Sequence, residues 1–410
     1  MDFIFIFNIS VCLLQINVTA NWGSTGKIAE QIGQCAIVHG WDSYIAYGRW
    51  YNPSQSHLIK IGDKLNMYQH YAEQRIFDNE GLCSRRATKE FIKRIDEIKP
   101  NVIQLHNIHD HYLNYRLLFE YLNKTDIKVV WTFHDCWAFT GHCFHFITKG
   151  CERWKSGCFD CPLQHEYPKT LFDRSRKNYT MKKNLFGANN NLTIIACSEW
   201  IANFVRQSFL KDKPIRVINN GVDLNVFKDS ESLGTNKKSF HVLAVSNVWN
   251  KDKGFDDILK LREILSNEYE ITIVGVAKQQ LNSLPQGIVG IERTQNVHEL
   301  VALYSKADVF INPTYADNFP TVNLEALACG TPVITYRTGG SPEALDENTG
   351  VVVEQGDLNG LVEAIRMMKD NPLSSSDCRK RAEDYFERDK CFEKYIDLYN
   401  GLMQVEVKIG

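Results

Sequence analysis

Short apolar runs alternate with amphipathic stretches along this chain, stop at one polar break and then begin again; no other feature restricts its fold so strongly. In the first half LLQINV (Leu13–Val18), SYIAY, NVIQLHN, KVVWTFHD, LTIIACS and PIRVIN read as strands. Between several of them, KIAEQIGQCAIVHG, TKEFIKRIDEIKP and EWIANFVRQSF read as helices. The polar stretch Lys228–Ser239 has no apolar period and is expected to be a linker. Beyond it FHVLAVS, YEITIVG, GIVGI, ADVFINP and TPVITY are strand-like, separated by FDDILKLREILSN, VHELVALYSK and VNLEALACG. This is the grammar of parallel sheets covered by helices. At 410 residues the chain suits two such domains with a cleft between them. The predicted division is an N-terminal domain over 1–228 with a cysteine-rich insertion at 142–168, a second domain over 239–390, and a closing helix over 391–410.

Composition narrows the partners. With 44% hydrophobic and 23% charged residues the chain can bury full cores. A net charge of −2 offers no positive field for a polyanion, so nucleic acid is not an expected partner. The N-terminus MDFIFIFNISVCLLQINV lacks a basic leading region, and no run reaches the ~20 apolar residues that span a bilayer. Residues 1–10 are expected to be an extension ahead of the first core strand, and the location cytoplasmic. Of the twelve cysteines, eight are scattered, whereas Cys143, Cys151, Cys158 and Cys161 cluster in GHCFHFITKGCERWKSGCFDCP. Four thiols with a Cys-x2-Cys pair suit tetrahedral zinc, with His142 or His145 as substitute ligands. Free thiols and a disulfide pair are the alternatives. Four protein ligands would leave no open position, so such a zinc would be structural.

In an open α/β sheet, ligands bind beyond the carboxyl ends of the strands. The richest loop there is YADNFPTVNLEALACG, with Asp317 eight residues ahead of Glu325 and a helix expected from about Thr321. A helix N-terminus with its free N–H groups suits a diphosphate, and a carboxylate beside it suits sugar hydroxyls. The alternative is an acid that merely complements the helix dipole. A second loop, SNVWNKDKGF, carries Lys251 and Lys253 ahead of Gly254. A third, NWGSTGKIAE, carries Gly23, Ser24 and Gly26 between a strand and a helix, and is too short for a Walker A loop. Two further strand ends supply His106 with His109, and His134 with Asp135.

The segment from Asp317 to Glu343 resembles the Glu-x7-Glu motif of retaining GT-B glycosyltransferases of family 4, with Leu-Glu-Ala, Pro-Val and Gly-Gly in register. The resemblance implies a GT-B fold of two Rossmann-like domains facing across a cleft. It implies that Glu325 binds the donor ribose, that Asp317 meets the transferred sugar, and that Asn318, Phe319 and Thr321 lie close to sugar and diphosphate. Lys253, with Lys251 near it, would neutralise the leaving diphosphate. Gly23, Ser24 and Gly26 would approach the diphosphate, His134 the donor sugar, and His106 and His109 the acceptor side. Two positions depart from the motif, Asp317 standing for Glu and Pro320 for Gly, and in the loop of Lys253 Val248 stands where the family usually has an Arg. The implied activity is transfer of a sugar from a UDP- or GDP-sugar to a saccharide or lipid-linked saccharide, with retention and without a cofactor for the chemistry. The setting implied is cell-surface polysaccharide synthesis, with the inner membrane face as the place where a lipid-linked acceptor is met. A sugar-nucleotide epimerase or hydrolase would instead release or rearrange sugar without an acceptor, and a silent binding partner would bind nucleotide without turnover.

Overall fold

A computed structural model describes residues 11–229 and 239–404. The expected extension 1–10 and most of the expected linker lie outside the described residues.

The chain divides into two compact units, 1–197 with 201–218 and 392–410, and 198–200 with 219–391. The first is built on a seven-stranded parallel sheet of β1 (Cys12–Asn17), β2 (Asp42–Tyr47), β3 (His57–Lys60), β4 (Val102–Leu105), β5 (Lys128–Phe133), β6 (Leu192–Ala196) and β7 (Ile215–Val217). Its spatial order is β3-β2-β1-β4-β5-β6-β7, so the direction of winding reverses between β1 and β4. The helix Gly23–Val38 buries Ile28, Ala29, Ile32 and Ala36, the three-four spacing of one helical face. The last described helix, Arg388–Gln404, packs Phe392, Tyr395, Ile396 and Tyr399 into this unit's core beside Leu13, Ile28, Val130 and Ile195. The hydroxyl of Tyr399 donates to Gln104 Oε1 over 2.8 Å.

The second unit holds a six-stranded parallel sheet of β8 (Phe240–Val245), β9 (Tyr269–Val274), β10 (Ile288–Ile291), β11 (Val309–Asn312), β12 (Val333–Tyr336) and β13 (Gly350–Val353). Its order, β10-β9-β8-β11-β12-β13, reverses between β8 and β11. Helices Phe255–Ile264 and Leu358–Asp370 close its core through Ile258, Leu261, Leu361 and Ile365. Residues 219–229 group with this unit, ten residues earlier than the expected boundary. A parallel bridge from Val222 to Glu387 and an Arg388–Asp223 ion pair of 2.5 Å hold them there. Strands β3 and β13 were not expected from the sequence: HLIK is exposed at both ends, and GVVV starts on a glycine after a turn.

Candidate functional site

In each sheet the reversal of winding places two loops side by side, where an open α/β sheet forms its crevice. In the second unit these are the loops after β8 and β11. Tyr315 N and Thr314 Oγ1 donate to the carbonyl of Asp252 over 2.7 and 3.2 Å, which ties the loops together. Across the tie Lys253 Nζ stands 2.5 Å from Asp317 Oδ2. Lys253 lies in a short 3-10 turn capped by Asn250, whose Oδ1 accepts from Lys253 N at 3.0 Å. Gly254 closes the turn at φ 74°, and a Cβ there would sit 2.1 Å from the carbonyl oxygen of Pro313. The glycine after Lys253 is thus a requirement of two backbones in near contact. Gly339 plays the same part against Asp317, whose carbonyl oxygen lies 1.6 Å from where a Cβ would be.

The helix after the second loop begins at Thr321, as expected. Glu325 is its fifth residue, and its Oε2 accepts from the buried hydroxyl of Tyr304 over 3.1 Å. Burial first, and then the Glu325 carboxylate, raise the Tyr304 pKa well above its usual range, so the phenol stays a donor. Asp317 and Glu325 therefore have different partners, one a cation and one a phenol. Asn318 is buried, its Oδ1 accepting from Ser198 Oγ at 3.3 Å. Phe319 is buried, its ring packing against Phe386 with centroids 5.9 Å apart, so only its backbone is presented by the loop. Lys251 and Val248 are exposed. Beneath the loops lies a buried polar chain that the sequence reading did not pick out. Asn312 Nδ2 donates to Asn323 Oδ1, Asn323 Nδ2 to Ser341 Oγ, and Ser341 shares a hydrogen bond with Thr335. Buried polar groups paired in this way rigidify a loop and specify one arrangement of it.

In the first unit the crevice lies between β1 and β4. The helix Gly23–Val38 starts there without a side-chain cap. Gly23 has φ 64° and open space where a Cβ would be, Ser24 is exposed, and Gly26 is packed against Thr19. Beside this loop runs a chain of neutral rings. Gln15 Nε2 donates to the carbonyl of Ala29 over 2.7 Å, and its Oε1 accepts from His106 Nε2 at 3.1 Å. The His106 proton is then on Nε2, which leaves Nδ1 to accept from His134 Nε2, 3.1 Å away. His134 is accordingly neutral, with Nδ1 as its acceptor atom. Burial pulls the His134 pKa down to about 4 and that of His106 well below 6.5, in keeping with this assignment. Gln15 and Asn17 were the available signal for this chain, as amide side chains in a central strand whose six residues are all buried. His109 faces inward instead: its Nε2 is 2.9 Å from Asp135 Oδ2, and its ring packs on Phe144 and Trp137. Burial alone lowers the His109 pKa, but the Asp135 carboxylate outweighs it and the net shift is upward.

Buried neutral histidines make stability depend on pH. An unfolded imidazole titrates near 6.5, whereas burial in the fold brings His134 and His70 down to about 4 and holds His106 well below 6.5. As pH falls through this window the unfolded chain takes up protons first, so stability is full above pH 6.5 and declines toward pH 4. Each such proton contributes up to about 1.4 kcal/mol per pH unit. His109, with its raised pKa, acts in the opposite sense, losing its contribution as pH rises through that value. Thermal melts from pH 7 to 4 are expected to fall steadily, with a shallower slope in His106→Gln; a flat profile down to pH 4.5 would contradict the ring assignments.

Cys143, Cys151, Cys158 and Cys161 line one small cavity with Phe146, Trp154 and Leu163. Gly141 N donates to Cys158 Sγ over 3.2 Å, and the buried Lys182 Nζ, its pKa lowered by burial to about 7, donates to the carbonyls of Trp137 and Thr140 alongside. The four sulfurs are gathered without being closed into a ligand shell. Among the described residues, three metal-type ligand atoms come within 4.8 Å of one another only at Cys35, His39 and Glu393, where the helix Gly23–Val38 meets the helix Arg388–Gln404.

Residues 28–226 match the model of "Glycosyltransferase Family 4" and residues 239–371 that of "Glycosyl transferases group 1". The chain is 25% identical over 419 aligned positions to the putative colanic acid biosynthesis glycosyl transferase WcaC of Escherichia coli K12, covering 95% of this chain and all of that one. It is 26% identical over 235 positions to the capsular polysaccharide biosynthesis glycosyltransferase CapM of Staphylococcus aureus, covering 52% of this chain and 62% of that one. Among solved structures, the sucrose-phosphate synthase of Thermosynechococcus elongatus superposes with a TM-score of 0.73 at 16% identity, over 96% of this chain and all of that one. Anabaena HepE, solved in complex with UDP, superposes with a TM-score of 0.64 at 14% identity, over 96% of this chain and all of that one. At such identities the likeness is one of fold.

Proposed function

Because this chain belongs to the glycosyltransferases of family 4 and group 1, with the two Rossmann-like domains of the GT-B fold, we propose that it transfers a hexosyl group from a UDP- or GDP-sugar to a saccharide or lipid-linked saccharide, with retention. Cell-surface polysaccharide synthesis is the proposed setting, supported by the relatives named for colanic acid and capsule. The observation that carries the reading is the Lys253–Asp317 pair of 2.5 Å where the winding of the second sheet reverses. Departure of a nucleoside diphosphate places negative charge on the β-phosphate, and a preorganised ammonium is the group that stabilises it. Glu325, oriented by Tyr304, accepts from the ribose hydroxyls. Asp317 accepts from the transferred sugar, with Asn318, the backbone of Phe319 and Thr321 lining the same loop. Lys251 adds positive charge nearby, and the uncapped helix start at Gly23, Ser24 and Gly26 offers N–H groups to anionic oxygens. His134 Nδ1 accepts a sugar hydroxyl, and His106 holds that ring in place. The departing phosphate can take the acceptor proton on the same face, so the scheme needs neither a protein nucleophile nor a divalent ion.

Thermal shift against UDP, GDP, ADP, dTDP and their common sugars tests the donor site. One nucleotide is expected to stabilise the protein selectively, and Glu325→Ala to abolish that stabilisation. A response to no nucleotide, or one that Glu325→Ala leaves intact, would sink the assignment.

Two further proposals concern the first unit. Cys143, Cys151, Cys158 and Cys161 hold one structural zinc, the buried Lys182 ammonium offsetting part of the charge of four thiolates. No described helix is long and apolar enough to cross a membrane, yet the helix Lys64–Phe77 is inverted: it buries His70 and Gln74 and exposes Leu65, Tyr68, Tyr71 and Phe77. These exposed apolar side chains, with Leu171 and with Phe172 stacked on Phe77, are proposed to touch the membrane that carries the acceptor. Sedimentation with anionic vesicles should carry the protein down, and Leu65→Glu with Phe172→Glu should release it; wild-type protein left in the supernatant would refute the contact.

A further inference from the structure

The loops after β1 and β2 carry two tryptophans that the scheme above leaves without a role. Trp22 stands immediately before the helix Gly23–Val38, and Trp50 three residues after β2. Their ring centroids are 4.6 Å apart at an angle of 37°, and they are 43% and 52% exposed. Tyr51, 58% exposed, follows directly. A lone exposed aromatic residue is ordinary, whereas a contiguous apolar platform kept in water marks a contact surface.

This platform is held rigidly. Ala20 N donates to the carbonyl of Trp50 over 3.1 Å, and Asn52 N to that of Ala20 over 3.0 Å. Asn52 Nδ2 donates to the carbonyl of Asn21 and Asn21 Nδ2 to that of Pro53, over 2.7 and 2.6 Å. Asn21 takes the left-handed conformation, φ 47°, to make this clamp. Arg49 lies over the Trp50 ring, 5.5 Å from its centroid. Its Nη2 donates to His111 Nδ1 at 2.7 Å, and His111 Nε2 in turn lies 3.1 Å from the buried carboxylate of Glu80. The cation beside the platform is therefore fixed from behind.

We propose that Trp22 and Trp50 form the platform on which one sugar ring of a saccharide acceptor lies. A pyranose has a face of C–H groups and a rim of hydroxyls. The face of an aromatic ring carries partial negative charge that meets the C–H dipoles, and Arg49 supplies donors at the rim. The platform opens at the carboxyl ends of β1 and β2, next to Gly23 and Ser24, where an acceptor must be presented. The identity of this ligand as an acceptor rests on the glycosyltransferase reading; the stacking itself does not.

The test is binding of full-length protein to an array of soluble oligosaccharides, with UDP and GDP titrated in parallel. Wild-type protein is expected to bind at least one oligosaccharide, and Trp22→Ala and Trp50→Ala to weaken that binding about tenfold. Trp50→Phe, which keeps an aromatic face, should stay within about threefold, and nucleotide affinity should be unchanged in all three. The proposal is overturned if wild-type protein binds no saccharide, if both alanine variants bind saccharide as wild type does, or if they lose nucleotide instead, which would make the platform a nucleobase shelf. Absence of nucleotide binding in wild type would count against the donor site alone, because the saccharide arm is read without it.

Discussion

Lys253→Ala is expected to lower turnover by about 10²–10³-fold, the usual loss when one preorganised charge is removed from a developing anion. Its effect on stability should be small. The side chains of Lys253 and Asp317 are 32% and 23% exposed, so water screens their pair, and pairs of this kind contribute no more than about 1 kcal/mol. The readout is release of nucleoside diphosphate with the donor selected by thermal shift, alongside the melting temperature of the same sample. Lys253→Arg should recover part of the rate, since a cation returns with different geometry. A large fall in melting temperature with turnover preserved per folded molecule would reverse the argument and make Lys253 a structural tie between two loops.

Removal of metal should produce the other large effect, and on a different property. Protein grown with zinc is expected to contain one zinc per chain, and chelation is expected to lower the melting temperature on the order of 10 °C, since structural zinc contributes folding free energy directly. Cys158→Ser and Cys161→Ser should reproduce the loss. Nucleotide stabilisation should survive in each case, because Lys253, Asp317 and Glu325, the cation and carboxylates of the proposed donor site, belong to the other unit. Metal-free protein whose stability the serine variants do not change would mean four neutral thiols packed in an apolar cavity. Burial already favours that state without a cation, for it raises the Cys143 pKa well above its usual range and pushes that of Cys161 up to about 12.

What was legible in the sequence followed from periodicity. β1, β5 and β11 are apolar runs buried along most or all of their length, and the helix from Thr321 carries the apolar spacing expected of it directly after Pro320. β3 and β13 lacked that signature because strands at the rim of a sheet need little apolar surface. Within the site, the Lys-Gly and Gly-Gly pairs were legible as motifs, but their cause, backbones closer than a Cβ permits, is visible only in three dimensions. Phe319 shows the opposite limit: its neighbours in sequence line the loop, while its own ring turns into the core against Phe386, a residue far along the chain. The tautomers of His106 and His134 could not have been read from sequence at all. They depend on which way the amide of Gln15 points, and that is set by the carbonyl of Ala29 on a neighbouring helix.

The final helix carries a consequence for heredity and engineering alike. Phe392, Tyr395, Ile396 and Tyr399 complete a core whose other members lie between Leu13 and Ile218. A gene cut after codon 218 would encode a first unit missing one wall, and a chimera that took its second half from another transferase would import that wall from a foreign lineage. Recombination that respects the folded units must therefore splice at two junctions and return the tail to its original owner. Selection on the first unit's core is written partly in the codons of residues 392–399, well beyond residue 371, where the matched family region ends.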